Sequence, residues 1–312
     1  MRVKSSQGSI TDCALLEQTI LLGIETSMSK KLGFRVLEWM VDKELYNETW
    51  YYYLTGEWRT SFPDELKRWQ AFLNLQQKLY SLLPGDPHCH ECGIPMTGLG
   101  GNILRFMGSA PSSFSPKLCS ACEQSARHYE VGAEVELTMI FADVRDSTPL
   151  AESRGTMGFK EIIQRFYKET SRVLIEHNGM VNRLMGDQVI ALFVPRFAGK
   201  DHPGVALHAA QELLSVTGHG DPNGPWVSVG VGIHTGTAYV GAVGAADGVT
   251  EIAVLGSAAN TCARLASNAA TGEILISEES IKSGNLEVSR LESRSLALKG
   301  IAQSVIVRVM KV

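Results

Sequence analysis

The chain has 312 residues, enough for two domains of ordinary size. Its 44% hydrophobic and 20% charged residues exclude disordered, collagen-like and disulfide-scaffold proteins. A formal net charge of −4 argues against a general nucleic-acid binder, and no apolar run of about 18 residues suggests a membrane span. The opening Met1-Arg-Val-Lys-Ser-Ser-Gln-Gly8 lacks the apolar core of a secretion signal, so the expected location is the cytoplasm.

Residues 1–85 read as a helical N-terminal region. Leu15, Leu16, Ile20, Leu21 and Ile24 recur at helix spacing. A second helical stretch runs around Leu32–Tyr46, and a third around Asp64–Leu83, with Leu66, Trp69, Leu73, Leu75 and Leu79. Four of the five tryptophans lie here: Trp39, Trp50, Trp58 and Trp69. The aromatic stretch Trp50-Tyr-Tyr-Tyr-Leu54 reads as core or as a face packed on a partner. Stacking of one ring on a ligand base is the alternative.

Residues 86–130 carry four of the six cysteines. Cys89-His-Glu-Cys92 and Cys119-Ser-Ala-Cys122 are two C-x2-C pairs separated by 26 residues. Two such pairs can give four thiolates to one tetrahedral Zn²⁺. The intervening glycines and the Pro111–Pro116 stretch offer no core, so the metal would organise the segment. Four thiolates leave no open coordination position, which makes the site structural. Two unrelated thiol pairs are the alternative; a redox dithiol lacks a surrounding βαβ pattern. His88 and His90 are substitute ligands in principle. Cys13 and Cys262 read as isolated packed thiols.

From residue 131 to 312 the pattern changes. Val135–Ala142 reads as an apolar strand ending in Asp143-Val-Arg-Asp-Ser-Thr148. An amphipathic helix is predicted over Met157–His177, ended by Gly179. Met180–Met185 and Val189–Val194 form a hairpin around Gly186-Asp187. A helix over His202–Leu214 follows. Trp226–His234 and Ala238–Gly244 read as a second hairpin, turning at Thr235-Gly236. Strand Glu251–Leu255 leads into helix Ala258–Ala266, with Ser257 as its N-cap. Strands Ile274–Ser277 and Val305–Val309 close the chain. The order βαββαβ with added strands predicts an α+β, ferredoxin-like domain.

Asp143 and Asp187 sit where apolar strands break. Converging carboxylates at strand ends can hold a pair of Mg²⁺ ions. Read singly, each is also a common turn former. Asn260 and Arg264 share one helix face at i and i+4, as donors aimed at a ligand or as an ordinary solvated face.

Taken together, Phe141-Ala-Asp-Val-Arg-Asp-Ser-Thr148, Met185-Gly-Asp-Gln-Val-Ile-Ala-Leu-Phe193, Gly232-Ile-His-Thr-Gly236 and Val254-Leu-Gly-Ser-Ala-Ala-Asn-Thr-Cys-Ala-Arg-Leu265 resemble the class III nucleotidyl cyclase domain. The resemblance implies a reaction in which the ribose 3′-hydroxyl of a nucleoside triphosphate attacks its own α-phosphorus and pyrophosphate leaves. It assigns Asp143 and Asp187 to two Mg²⁺ or Mn²⁺ ions, and backbone amides of Val144, Ser147 and Thr148 to the phosphates. It assigns Asn260 to the ribose, Arg264 to charge at the α-phosphate and Lys299 to the triphosphate. It also implies a head-to-tail homodimer, with the aspartates from one chain and Asn260 and Arg264 from the other. A catalytically inactive nucleotide-binding module is the non-enzymatic alternative, and the complete residue set argues against it.

Two positions depart from the family. Members making cyclic AMP typically carry a lysine four residues before the second metal aspartate, paired with aspartate or threonine; guanylate cyclases usually have glutamate and cysteine. Here the positions hold Arg183 and Ala253. Arginine only donates, so it suits the uracil O4 and opposes amino-bearing bases. The longer side chain also narrows the pocket. This ranks UTP ahead of ATP and CTP, and resembles the pyrimidine cyclases of bacterial anti-phage Pycsar systems, whose product is read by a separate cyclic-nucleotide-binding effector. An Arg183 held in a salt bridge within an adenylate cyclase is the competing reading. The second departure is Asp146, where the family commonly has glycine.

Overall fold

The computed structural model describes residues 43–59, 64–105, 110–112, 115–244, 250–298 and 304–312. The helices expected over 15–24 and 32–42, Cys13 and Lys299 lie outside the described residues. Residues 43–312 form one compact unit. Helices α1 (Lys43–Thr55), α2 (Asp64–Tyr80), α3 (Gly98–Leu104) and α4 (Ser120–His128) come first. Then follow β1 (Gly132–Val144), α5 (Ser147–Glu176), β2 (Met180–Met185), β3 (Gln188–Phe193), α6 (Pro195–Ala198), α7 (His202–Val216) and β4 (Val229–Gly244). The chain ends with β5 (Thr250–Leu255), α8 (Ser257–Asn268), β6 (Glu273–Ser277), α9 (Glu278–Gly284), β7 (Glu292–Leu296) and β8 (Val305–Lys311).

The strands form one sheet in the order β2-β3-β1-β4-β6-β8-β7, with β5 added onto β4. All pairings are antiparallel except β4 with β6. The mixed α+β order matches the expectation. Strand residues alternate faces, so β1 feeds two cores. Ile140, Ala142 and Val144 pack with Phe166, Val173 and Leu174 of α5 and Leu213 and Leu214 of α7. Leu137, Met139 and Phe141 face the other way, into a cluster with Trp50, Tyr53, Leu54, Ile94, Met96, Leu118 and Cys262. Trp50, Tyr53 and Leu54 of the aromatic stretch are therefore core, while Tyr51 packs against it and Tyr52 stacks on Trp58. Cys262 is a packed thiol donating to the Met139 carbonyl at 3.3 Å.

The expected second hairpin is absent. Thr235 and Gly236 do not turn; β4 runs straight through them for 16 residues, paired with Thr138 and Leu137. Its glycines serve a close helix approach instead. A Cβ at Gly232 would lie 2.4 Å from the Ala266 nitrogen, and one at Gly236 would lie 3.0 Å from the Ala258 Cβ. Helix α8 therefore lies directly on β4. Gly232→Ala is expected to push α8 away, costing about 1–3 kcal/mol. Differential scanning calorimetry should show a Tm lowered by roughly 2–12 °C, and turnover should fall with it.

Two helix starts also differ. Helix α5 begins ten residues before Met157, and its helical backbone is interrupted only at Gly155, whose φ is 66°. The first turns are polar, so apolar periodicity could not reveal them. Helix α8 starts at Ser257 itself, capped by Gly256 at φ 134° without a side-chain bond. The glycine supplies the backbone turn that a serine cap was expected to provide.

Helices α1 and α4 both hold the sheet. The Trp50 indole Nε1 donates to the Val240 carbonyl at 2.9 Å. Arg127 of α4 donates to the carbonyl of Thr250, the first residue of β5. Among the described residues, no helix is long and apolar enough to cross a membrane.

Candidate active site

Asp143 pairs with Gln188 across the β1–β3 ladder. The Val144 amide donates to the Asp187 carbonyl at 3.0 Å. Adjacent strand ends thus bring the two aspartates together, as their positions at strand breaks suggested. Gly186, at φ 62°, makes the turn that carries Asp187. The Tyr167 hydroxyl donates to the Gly186 carbonyl at 2.7 Å and holds that turn in place.

Burial pushes the Asp143 carboxyl above its usual range; Arg145 opposes this, and the charge of Asp187 adds to it. Arg145 forms an ion pair with Asp143 and donates to the Ser267 carbonyl at 3.1 Å, near the end of α8. Two partly desolvated carboxylates side by side need positive charge. Hard oxygen donors suit Mg²⁺ or Mn²⁺. The chemistry of this donor set therefore fits the metals the sequence implied.

Asp146 has φ 52°, in the left-handed region, directly before α5. That explains the glycine usual at this position, since aspartate is among the few other residues that tolerate this backbone. Ser147 and Thr148 form the first turn of α5, whose amides have no partner within the helix. The Val144 amide, expected to meet phosphate, is instead committed to the Asp187 carbonyl, and the residue is buried.

Asn260 and Arg264 lie exposed on one face of α8, while Cys262, Leu265 and Ala266 bury the other. Among the described residues, no side-chain hydrogen bond or ion pair engages either, and nothing joins them to Asp143 or Asp187 within the chain.

Arg183 lies on β2 and Ala253 on β5, and the two strands touch through Asn182 Nδ2 donating to the Ile252 carbonyl at 3.1 Å. Arg183 forms an ion pair with Glu251, two residues before Ala253 on the same face of β5. The sequence reading missed Glu251. No local pattern links residues 68 apart in the chain; only the curl of β5 toward β2 does.

The four cysteine sulfurs of residues 89, 92, 119 and 122 all lie within 4.8 Å of one another. Cys89 to Cys122 is 3.9 Å and Cys92 to Cys119 is 3.7 Å. A tetrahedron with Zn–S of about 2.3 Å has edges of about 3.8 Å. The Cys119 amide points at the Cys89 sulfur at 3.3 Å, and the Cys122 amide at the Cys119 sulfur at 3.4 Å. The cluster has the size and polarity of a four-thiolate zinc site. His88 and His90 stand outside it: His88 meets the Leu83 carbonyl at 3.2 Å, and His90 packs on Phe197.

Beneath the sheet a buried hydroxyl chain joins two histidines. His202 Nδ1 meets Thr138 at 2.7 Å, Thr138 meets Thr235 at 2.7 Å, and Thr235 donates to Ser280 at 2.9 Å. Ser280 meets Ser277 at 3.3 Å, and Ser277 meets His234 Nδ1 at 2.8 Å. Burial lowers the pKa of both histidines. A lowered folded pKa contributes stability above the unfolded value of about 6.5 that is lost as pH falls. Thermal melts should therefore show Tm falling between about pH 7 and pH 5, less steeply in His234→Asn.

Residues 130–308 match the model of the adenylate and guanylate cyclase catalytic domain. The chain is similar to an adenylate cyclase of Anabaena cylindrica, 26% identical over 204 residues, covering 60% of this chain and 39% of that protein. It is also similar to adenylate cyclase 1 of Rhizobium meliloti, 29% identical over 135 residues, covering 42% of this chain and 20% of that protein. The chain thus spans well under half the length of these relatives. In fold it matches the crystal structure of the adenylyl cyclase CyaB from P. aeruginosa, with TM-score 0.51 and 24% identity over 58% of this chain and 96% of that one. A guanylyl cyclase crystal structure matches equally, with TM-score 0.51 and 24% identity over 57% and 92%. With 130–308 covering more than half its length, and with the paired aspartates and the α8 face in place, the chain belongs to the adenylate and guanylate cyclase catalytic domain family, class III.

Proposed function

We propose that the chain is a uridylate cyclase, converting UTP to 3′,5′-cyclic UMP and pyrophosphate. The 3′-oxygen forms a bond to the α-phosphorus, the bond to the bridging oxygen breaks, and the 3′-proton passes to solvent. The observation that carries nucleotide cyclisation is the meeting of Asp143 and Asp187 at adjacent strand ends. These carboxylates would hold two Mg²⁺ or Mn²⁺ ions, which when bound acidify the 3′-hydroxyl and neutralise the triphosphate. The first-turn amides at Ser147 and Thr148, beside Val144, receive phosphate oxygens. Asn260 orients the ribose, and Arg264 and Lys299 meet phosphate charge. No protein nucleophile is required; the chain positions reactants and balances charge.

Cyclase domains of this class act as dimers, and the absence, among the described residues, of any contact between the α8 pair and the aspartates supports a site shared by two copies. We assign residues 86–130 to a structural zinc module and 131–312 to catalysis. Arg183 with Ala253 supports UTP, and the cyclic UMP would serve as a messenger to a separate effector in anti-phage defence of the Pycsar kind. Adenylate cyclisation is the second reading, favoured by the relatives named above and by the ion pair that occupies Arg183; cytidylate cyclisation follows it.

The test is incubation of purified protein with Mn²⁺ or Mg²⁺ and each of the four ribonucleoside triphosphates, with products identified by mass spectrometry. Cyclic UMP as the dominant product is expected. Dominant cyclic AMP would replace the uridylate reading with the adenylate one. No product under any condition would leave a nucleotide-binding module.

A further inference from the structure

The Arg183–Glu251 pair changes what the base would meet. Arg183 supplies only N–H donors, and a carboxylate supplies only acceptors. The ion pair engages Nη2 of Arg183 and Oε2 of Glu251. Arg183 Nε and Nη1 and Glu251 Oε1 have no partner among the described residues. The pair is partly open, with the Arg183 side chain 37% exposed and that of Glu251 54%. A fixed donor thus sits beside a fixed acceptor, both with spare capacity, on the face that also carries Ala253.

We propose that Glu251 is a specificity-determining residue, which together with Arg183 reads the base edge and selects a keto base over an amino base. The inference rests on the reading of Arg183 as facing the base. Uracil presents a carbonyl at C4 next to a ring N–H at N3. The O4 accepts from Arg183, and the N3 hydrogen is donated to Glu251. Guanine presents the same order at C6 and N1. Cytosine and adenine present the reverse, an amino group toward Arg183 and a ring lone pair toward the carboxylate. Both contacts are then mismatched. Reading one edge with two groups of opposite polarity doubles the discrimination that arginine alone provides. The length of Arg183 then favours the smaller keto base, uracil.

The pair has little other work to do. An exposed ion pair contributes almost nothing to stability. Removing Glu251 should leave the melting temperature within about 2 °C of wild type. It should nonetheless alter base choice, because a lost hydrogen bond to a charged group changes transition-state binding by roughly ten- to a hundredfold.

The experiment is kcat/KM for UTP, CTP, GTP and ATP in wild type, Glu251→Ala and Glu251→Gln. Glu251→Ala should lower UTP turnover roughly ten- to a hundredfold while leaving CTP turnover unchanged or raising it, since the carboxylate opposes the cytosine N3 lone pair. Glu251→Gln can turn its amide to donate to the cytosine N3, so the UTP-to-CTP ratio should fall about tenfold or more. Should variant turnover be too slow to measure, calorimetric binding of the 3′-deoxy triphosphates of uridine and cytidine reads the same ratio. An unchanged ratio in both variants overturns the role of Glu251, whether or not overall activity falls. The wild-type profile tests the underlying reading separately. Wild-type preference for GTP with a shifted ratio in the variants would defeat UTP and uphold Glu251. Preference for UTP with no shift would do the opposite.

Discussion

Asp143→Ala and Asp187→Ala should each lose at least about a thousandfold in cyclase turnover, with the fold intact. Each loss removes an anchor for charge on the triphosphate, and several kcal/mol of transition-state stabilisation correspond to three or more powers of ten. Circular dichroism should be unchanged, because both side chains sit at strand ends and outside the two apolar clusters. Arg264→Ala should lose about a hundredfold or more, as for removal of one donor to developing charge. The informative experiment mixes Asp143→Ala chains with Arg264→Ala chains. In a head-to-tail dimer, a mixed pair places both substitutions in one site and leaves the other intact. Half of randomly formed dimers are mixed and each has one good site of two, so about a quarter of wild-type activity should return. Heterodimers that form without recovering activity would place each complete site inside a single chain.

Loss of one thiolate should have the largest effect on stability. Cys89 and Cys119 are buried in the same apolar cluster as Trp50, Leu137 and Val240. A metal here would therefore tie the cysteine segment to the catalytic sheet as well as to itself. Cys122→Ser is expected to abolish stoichiometric zinc, read by mass spectrometry as one ion per wild-type chain. It should lower Tm by on the order of 10 °C, for a loss of about 3–5 kcal/mol in a unit of this size. Cyclase activity should fall too, since Arg127 on the same helix as Cys122 holds the start of β5 through the Thr250 carbonyl. Metal-free wild type with full activity and an unaltered melt would remove the zinc from the account.

Mostly apolar runs bounded by turn residues made β1 and β3 legible at Val135–Ala142 and Val189–Val194, because a strand buried on both faces needs apolar side chains at successive positions. Glycine punctuation misled at Thr235-Gly236. A glycine after a threonine is turn chemistry in the sequence, yet here the absent Cβ admits helix α8, which only the packed structure reveals. Helix α5 was legible from its apolar half and hidden in its polar first turns, where no periodicity exists to detect. Asp146 stood in the sequence only as a departure from the usual glycine, and its left-handed backbone gives the reason for that preference.

The composition that set the first limits, near-neutral and ordinary, held no trace of the polyanionic substrate we propose. The sequence by itself determined the motifs: two aspartates at strand breaks, an asparagine and arginine one helical turn apart, and two C-x2-C pairs. Each is short-range, governed by strand alternation, helix pitch or ligand chemistry. Tertiary structure alone decided which distant groups meet. It set Arg145 against the Ser267 carbonyl near the α8 terminus, drew four sulfurs within 4.8 Å, and placed Glu251 beside Arg183. The last of these depends on how a sixteen-residue strand carries β5 toward β2. That path is set by the packing of the whole sheet, and no local run of residues encodes it.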